Sequence, residues 1–323
     1  MKLISFIKSN SFILMITAVL IFSIFLPQAG LLVGKAGITT YLTFIAMFAS
    51  GLGLSLTNIK DGFKDFKSIL FSFSSIYVIF PLITYVILLI LNIRSGDIFI
   101  GGMILAAQSS TLASAVVLTA TANGNVPLAL IITIINNMAS AVLTPLILKL
   151  TLSADQAISI DVGPMILKLL LVLVLPVVLA QVVRKFIKKH MEKITPYRKA
   201  VSKIVVLVIV LTGAASASSE IKANIGQALL IILGVAVLHG IMLAIAYLYI
   251  RIAKIKHESK SAVLFTASQK TLPASLLIWQ NYFAAYMLAP ILLVLHHMVQ
   301  LIIDSVIVSR LSKSNRGKDD EQE

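Results

Sequence analysis

Lys270 follows Gln269 and precedes Pro273 in "LFTASQKTLPASLL" (264–277), a stretch otherwise apolar and small. A cation near mid-bilayer costs about 2.5–3.5 kcal/mol, and such residues usually mark a function or a buried partner. Pro273 removes a backbone donor and breaks or kinks a helix. A helix broken inside a membrane offers free N–H groups to anions and freed carbonyls to cations. Lys270 has two readings: a structural cation held by such carbonyls or by Asp304, or a mechanistic one that holds an anion or releases a proton. His296 and His297 are adjacent, so on a helix they point about 100° apart and cannot easily share a metal ion. No cysteine or carboxylate cluster completes a coordination sphere, so no metal site and no cofactor are expected. Hydrogen bonding in the core is the expected role of the two histidines, with pH sensing as the alternative. Asp304 lies two turns before Arg310 and is placed at the wet cytoplasmic end. Asn136 and Asn137 read either as packing polars or as ligand contacts.

The elements that position these residues are apolar spans. The 323-residue chain is 59% hydrophobic and 12% charged, with mean hydropathy +1.00. A soluble domain carries about 25% charged residues, so this is a multi-pass, all-α membrane protein. Ten runs can cross roughly 30 Å of hydrocarbon: 11–33, 38–56, 69–91, 98–122, 126–150, 162–184, 201–219, 226–250, 260–282 and 285–309. The first is too long for a signal peptide, and "LPQAGLL" is a poor cleavage site. The net charge of +14 collects in alternate loops rather than in a nucleic-acid patch. Starting inside, Lys2, Lys8, Lys60, Lys64, Lys67, the basic 184–203 region, the 251–260 loop and the tail hold 21 Lys and Arg, against four on the other side. The positive-inside rule then puts both termini in the cytoplasm, in a plasma (inner) membrane. Lys168, early in span 6, snorkels to the outer interface.

The chain repeats itself. A shift of 160 residues lays "STLASAVVL" (110–118) on "KTLPASLLI" (270–278), and "NNM" (136–138) on "HHM" (296–298). Five spans per half make the repeat inverted in topology, with units 1–153 and 154–312 followed by a cytoplasmic tail, 313–323, whose end "GKDDEQE" (317–323) reads as disordered. Spans 4 and 9 each carry a polar interruption at the matching place, "AAQSSTLAS" (106–114) and "TASQKTLPAS" (266–275). They are expected to be discontinuous and to cross near the midplane, because unwound backbone survives in a bilayer only inside protein or beside a cavity. Thr133, Asn137, Ser140 and Thr144 form a polar stripe on span 5; His297, Gln300 and Asp304 form its counterpart on span 10. "GLGL" (51–54) ends a span and lacks the residues of a phosphate loop, so it predicts close helix contact.

At these residues the chain resembles the bile acid:sodium symporter family. The likeness is clearest in "GLGLSL" (51–56), "TLASAVVLTATANGNVPLAL" (111–130) and "VLTP" (142–145). "SQKTLPAS" (268–275) resembles its divergent SBF-like branch, which carries Gln-Lys at the crossover. The resemblance implies a core domain of spans 3–5 and 8–10, a panel domain of spans 1, 2, 6 and 7, and movement of a small organic anion, commonly with sodium. Its sodium-site pattern is a Ser-Asn pair on span 4, a hydroxyl on span 5, and a Glu upstream of a Gln on span 9. Those positions fall on Ser114-Ala115, Thr133, Phe265 and Gln269, so the amide and the carboxylate are missing. Set beside the family, the sharper reading of Lys270 is that its ammonium fills the place of a sodium ion.

The expected function is secondary active transport of a small organic anion, bile-acid-type or a carboxylate metabolite, by alternating access and coupled to sodium or protons. The substrate and ion site is expected at Ser110, Thr111, Ser114, Thr133, Asn136, Asn137, Ser268, Gln269, Lys270, Thr271, His296 and His297. A monomer in the lipid bilayer suffices for this reading. Alternatives are a proton-linked ion or metabolite exchanger, and a non-transporting membrane regulator that keeps the fold. An enzyme is not expected, because the spans pair no nucleophile with a base.

Overall fold

The structure, a computed structural model, describes residues 11–55, 59–152, 160–223 and 225–319. Lys2 and Lys8, the boundary between the predicted repeats at 153–154 and the last four residues of the tail lie outside the described residues. All regular structure among the described residues is helical. Five helices are long and apolar enough to cross a membrane, or six if one bent pair counts as a span. The protein is therefore a multi-pass, all-α membrane protein.

Span 1 is not one rod. α1 (Ser11–Phe25) and α2 (Gln28–Lys35) meet at 94°, because Pro27 at the joint has no N–H to continue the ladder. α3 (Thr39–Gly53) ends at the paired glycines, and a Cβ on Gly51 would lie 2.9 Å from Ala180 Cβ and 3.0 Å from Val177 Cα. Gly51 of "GLGL" thus brings two helices into backbone contact, while Gly53 faces the Arg198 guanidinium.

After the short α4 (Ile59–Gly62), α5 (Phe66–Ile90) carries a π turn over Ser75–Ile79. α6 (Gly96–Ala107) and α7 (Ser114–Thr121) are separate helices within the stretch expected as span 4. α8 (Val126–Leu152) opens on Asn125, whose Oδ1 accepts the Leu128 N–H at 2.9 Å, and contains Pro145.

The basic stretch after span 6 is helical rather than an open loop, since Lys and Arg are good helix formers. α9 (162–187) leads through a 3₁₀ turn at Lys188–His190 into α10 (Met191–Ser216). Both pack on α3, so the chain doubles back at that turn. α11 (Ser218–Ala223) precedes α12 (Ile225–Ile252). α13 (Lys260–Ser268) and α14 (Leu272–Tyr282) are separate helices within the stretch expected as span 9. α15 (Ala289–Asp319) runs on into the tail that reads as disordered in the sequence.

Two groups of helices result. α3 packs on α9 and α10, and α10 also packs on α1 and α2. α15 packs on α6, α12 and α14, while α8 packs on α6, α7 and α13. Lys168, expected to snorkel to the outer interface, donates to Asn281 and lies 5.8 Å over the Tyr282 ring, so it is held by protein.

Candidate functional site

The two helix breaks touch. Thr271 N donates to Ser109 O at 3.0 Å, joining the residues between α6 and α7 to those between α13 and α14. Each unwound segment is clamped by a side-chain amide from the following long helix. On α8, Asn137 Nδ2 donates to Ser110 O at 3.0 Å, and its Oδ1 accepts from Ser109 Oγ at 3.0 Å. On α15, Gln300 pairs both ways with one peptide unit: its Oε1 accepts the Lys270 N–H and its Nε2 donates to the Lys270 carbonyl, each at 3.0 Å. Non-helical backbone buried away from water needs such partners.

Lys270 is 1% exposed. Its Nζ lies 2.8 Å from Ile76 O, 2.7 Å from Ala106 O and 2.7 Å from Gln108 O, with the Phe80 ring centroid at 4.3 Å. Three acceptors match the three N–H donors of an ammonium, and an aromatic face adds electrostatic attraction. Each carbonyl is free for a definable reason. Ala106 is in the last turn of α6, where carbonyls have no intrahelical donor, and Gln108 lies in the break. In the π turn, Phe80 N reaches back five residues to Ser75 O. The next bond in that register would run from residue 81 to Ile76 O, but residue 81 is proline. Pro81 thus supplies the third oxygen of the cage. Removing a proline from a helix interior ordinarily stabilises it. Here Pro81→Ala gives Ile76 O a helical donor that competes with Lys270, and a lower thermal midpoint is expected. A higher midpoint, read by unfolding of the purified protein, would contradict the cage.

Asp304 does not pair with Lys270, nor does it reach a wet end. It is fully buried, with Oδ2 accepting from Gln269 Nε2 at 2.6 Å and Oδ1 3.0 Å from His239 Nε2. The Gln269 oxygen accepts from Thr111 Oγ1 and, at 2.9 Å, lies against Ser114 Oγ. Thr111, Ser114 and Gln269 are therefore brought together, one residue before Lys270.

The remaining predicted site residues divide. Ser110 Oγ is 3.3 Å from Asn136 Nδ2, and the Asn136 carbonyl accepts the Tyr77 hydroxyl. Thr271 joins the crossing through its backbone. Thr133 and Ser268 turn their hydroxyls to their own helices, on Ala129 O and Leu130 O and on Leu264 O respectively. His297 Nδ1 meets Gln300 Nε2 at 2.9 Å, whereas both nitrogens of His296 are buried without a partner. His296 thus departs from the hydrogen-bonded core role: its ring packs edge-on against Phe80 and His239.

The family's sodium ligands do not form a cage here. Phe265 and Ala115 are fully buried hydrocarbon at the charged and amide positions. The oxygen of Gln269 is already engaged by two hydroxyls, and the Thr133 hydroxyl donates within α8. The carbonyls best arranged for a cation hold Lys270 instead.

The crossover is closed. The gap beside Asn137, lined also by Leu112, Ile134 and Leu173, measures about 10 Å³, too little for any organic anion. A larger cavity of about 420 Å³ lies elsewhere, among Asp61, Lys67, Lys256 and Glu258.

Sequence reasoning passed over His239 and the Ile76–Pro81 turn. Each had a signal, a lone histidine within "VAVLHGIML" and a proline in mid-span.

Broken helices whose unwound segments meet in a buried polar crossing are a construction of secondary transporters. The model of the SBF-like CPA transporter family matches residues 10–313, and the chain belongs to that family. It is 27% identical over 307 residues to the probable sodium/metabolite cotransporter BASS4, chloroplastic, of Arabidopsis thaliana, covering 91% of this chain and 70% of that one. A rice (Oryza sativa subsp. indica) protein of the same name is 26% identical, covering 95% of this chain and 76% of that one. Uncharacterized protein PA2026 of Pseudomonas aeruginosa is 26% identical, covering 94% of this chain and 93% of its own length. The family is one of membrane transporters, and that sets the class of the chain.

Proposed function

We propose that the protein is a secondary active transporter of a small organic anion, working by alternating access around the crossing of α6–α7 with α13–α14. The observation that carries this is the Lys270 ammonium, buried in a carbonyl cage where two broken helices meet. In this reading ten spans form two inverted five-span repeats, with both termini in the cytoplasm. The group around α8 and α15 moves as the core against a panel built on α3, α9 and α10. The anion binds beside the Lys270 cation and the half-helix N-terminus that starts at Leu272, from which Ser110, Thr111 and Asn137 are within reach of the crossing. An opening motion is required, since the crossing is closed in the present arrangement.

The names of the plant relatives favour sodium as co-substrate and a metabolite as cargo. The site favours a second reading of the coupling. With Phe265 and Ala115 at the sodium-ligand positions, Lys270 stands in for the ion, and protons drive the cycle. Uptake of a panel of carboxylates and bile-acid-type anions into proteoliposomes, under imposed sodium or pH gradients, tests the transport reading. Accumulation of at least one anion against its gradient is expected. No flux of any anion under either gradient would favour a membrane regulator that keeps the fold.

A further inference from the structure

The buried pair His239–Asp304 has no part in the cation cage. Asp304 lies on α15 and His239 on α12, and both side chains are fully enclosed. The hydrogen bonds around them have a fixed direction. Thr111 Oγ1 accepts the Ala115 N–H at 3.2 Å and the Ser114 hydroxyl at 2.6 Å, so its own proton goes to Gln269 Oε1. That orients the Gln269 amide, whose Nε2–H donates to Asp304 Oδ2, leaving Oδ1 to the imidazole. With Nε2–H of His239 donating to Asp304, the Nδ1 lone pair points into protein with no partner. An imidazole with one nitrogen on a carboxylate and the other bare has one open position for a proton.

We propose that His239 and Asp304 form a proton-binding site whose occupancy is read at the crossover through Gln269. A proton from water adds to His239 Nδ1, converting a neutral imidazole beside a carboxylate into an imidazolium–carboxylate pair. The pair then loses its net negative charge, and the carboxylate's hold on Gln269 weakens. Gln269 precedes Lys270, so the signal enters the segment that carries the cage. The other buried titratable groups are Lys270, whose ammonium sits in the carbonyl cage, His297 against Gln300, Tyr77 on the Asn136 carbonyl, and His296. Among the described residues α1, α6, α7, α10 and α14, which also pack on α15, add no buried charged side chain. His296 is the nearest of these, its ring edge-on to His239 with centroids 5.7 Å apart and likewise without a polar partner. It is the natural relay for a proton entering or leaving Nδ1.

The coupling of this site to flux rests on the transport reading; the site itself does not. The test is infrared difference spectroscopy of the full chain in lipid nanodiscs, free of substrate and sodium, titrated between about pH 5 and 8, where histidine changes charge. Imidazole and carboxylate bands are expected to change together in the wild type. Both changes are expected to vanish in Asp304→Asn and in His239→Gln. Gln269→Leu is expected to keep the titration but lose the accompanying amide change of the crossover. His190 and His257 are exposed and present in every variant, so their contribution cancels in the difference. If Asp304→Asn does not fold, His239→Gln, which keeps a donor for the carboxylate, carries the test. A titration identical in wild type and His239→Gln, or no buried titration at all, overturns the proposal. Loss of titration with uptake intact would leave the transport reading standing, and titration without any uptake would do the reverse.

Discussion

Lys270→Ala is expected to destabilise the protein and to make its stability depend on an added organic cation. The substitution leaves Ile76 O, Ala106 O and Gln108 O without the ammonium that each meets within 2.8 Å. A buried acceptor left unpaired costs about 1–3 kcal/mol. Against this, the variant no longer holds a desolvated charge, which returns several kcal/mol. Water entering the vacated volume satisfies part of what remains. The balance is a net loss of about 2 kcal/mol, small beside the gross terms. The sharper expectation is chemical rescue. A small alkylammonium ion carries the same donors and fits the same oxygens and the Phe80 face, so it raises the thermal midpoint of the variant and not of the wild type. Unfolding can be followed through Trp279, the chain's single tryptophan, which lies on α14 just beyond the crossing. A variant as stable as the wild type, and indifferent to alkylammonium, would contradict the cage.

The second large effect belongs to Gln300. Its amide is the partner of both the N–H and the carbonyl of Lys270, each at 3.0 Å, in a segment buried from solvent. Gln300→Leu keeps the volume and removes both bonds, so two buried backbone groups are orphaned at about 1–3 kcal/mol each. A loss of about 2–6 kcal/mol is expected, larger than for most single substitutions. Gln300→Glu retains the acceptor for the N–H but loses the donor to the carbonyl and to His297, and should fall between. Thermal unfolding of the three proteins ranks them, and uptake measured on the same preparations should fall in the same order. Equal stability of Gln300→Leu and wild type would mean the crossing is held by other contacts.

The site was legible in the sequence to the extent that it breaks a pattern. Lys270 and Pro273 stand out in an apolar run, the offset of 160 residues matches them to the interruption at 106–114, and the structure has non-helical segments at both places. Asn137 also follows from its polar stripe. The repeat misleads one step further on. It pairs Asn137 with His297, yet the clamp on the second break is Gln300, one turn later and paired by the offset with Ser140. A sequence offset aligns positions along the chain, while the side chain that reaches a given peptide unit depends on local helix rotation. Asp304 was misplaced because distance from Arg310 was read as depth, and a buried partner on α12 has no signature in its own neighbourhood. The three oxygens around Lys270 are main-chain atoms, so no side-chain motif encodes them; only Pro81 hints at one. Pro27 likewise announced the bend between α1 and α2, but hydropathy alone joins the two into one span.

The central proposal is that the ammonium of Lys270 serves as the cation of the crossover, in place of a coupling ion. The most direct measurement is anion uptake into proteoliposomes, with sodium replaced throughout by a large impermeant cation, for wild type and Lys270→Asn side by side. Wild-type uptake is predicted to persist without sodium. The variant should lose uptake or regain it only when sodium is restored. Wild-type uptake that stops without sodium, together with a Lys270→Asn variant that transports as the wild type does, would contradict the account.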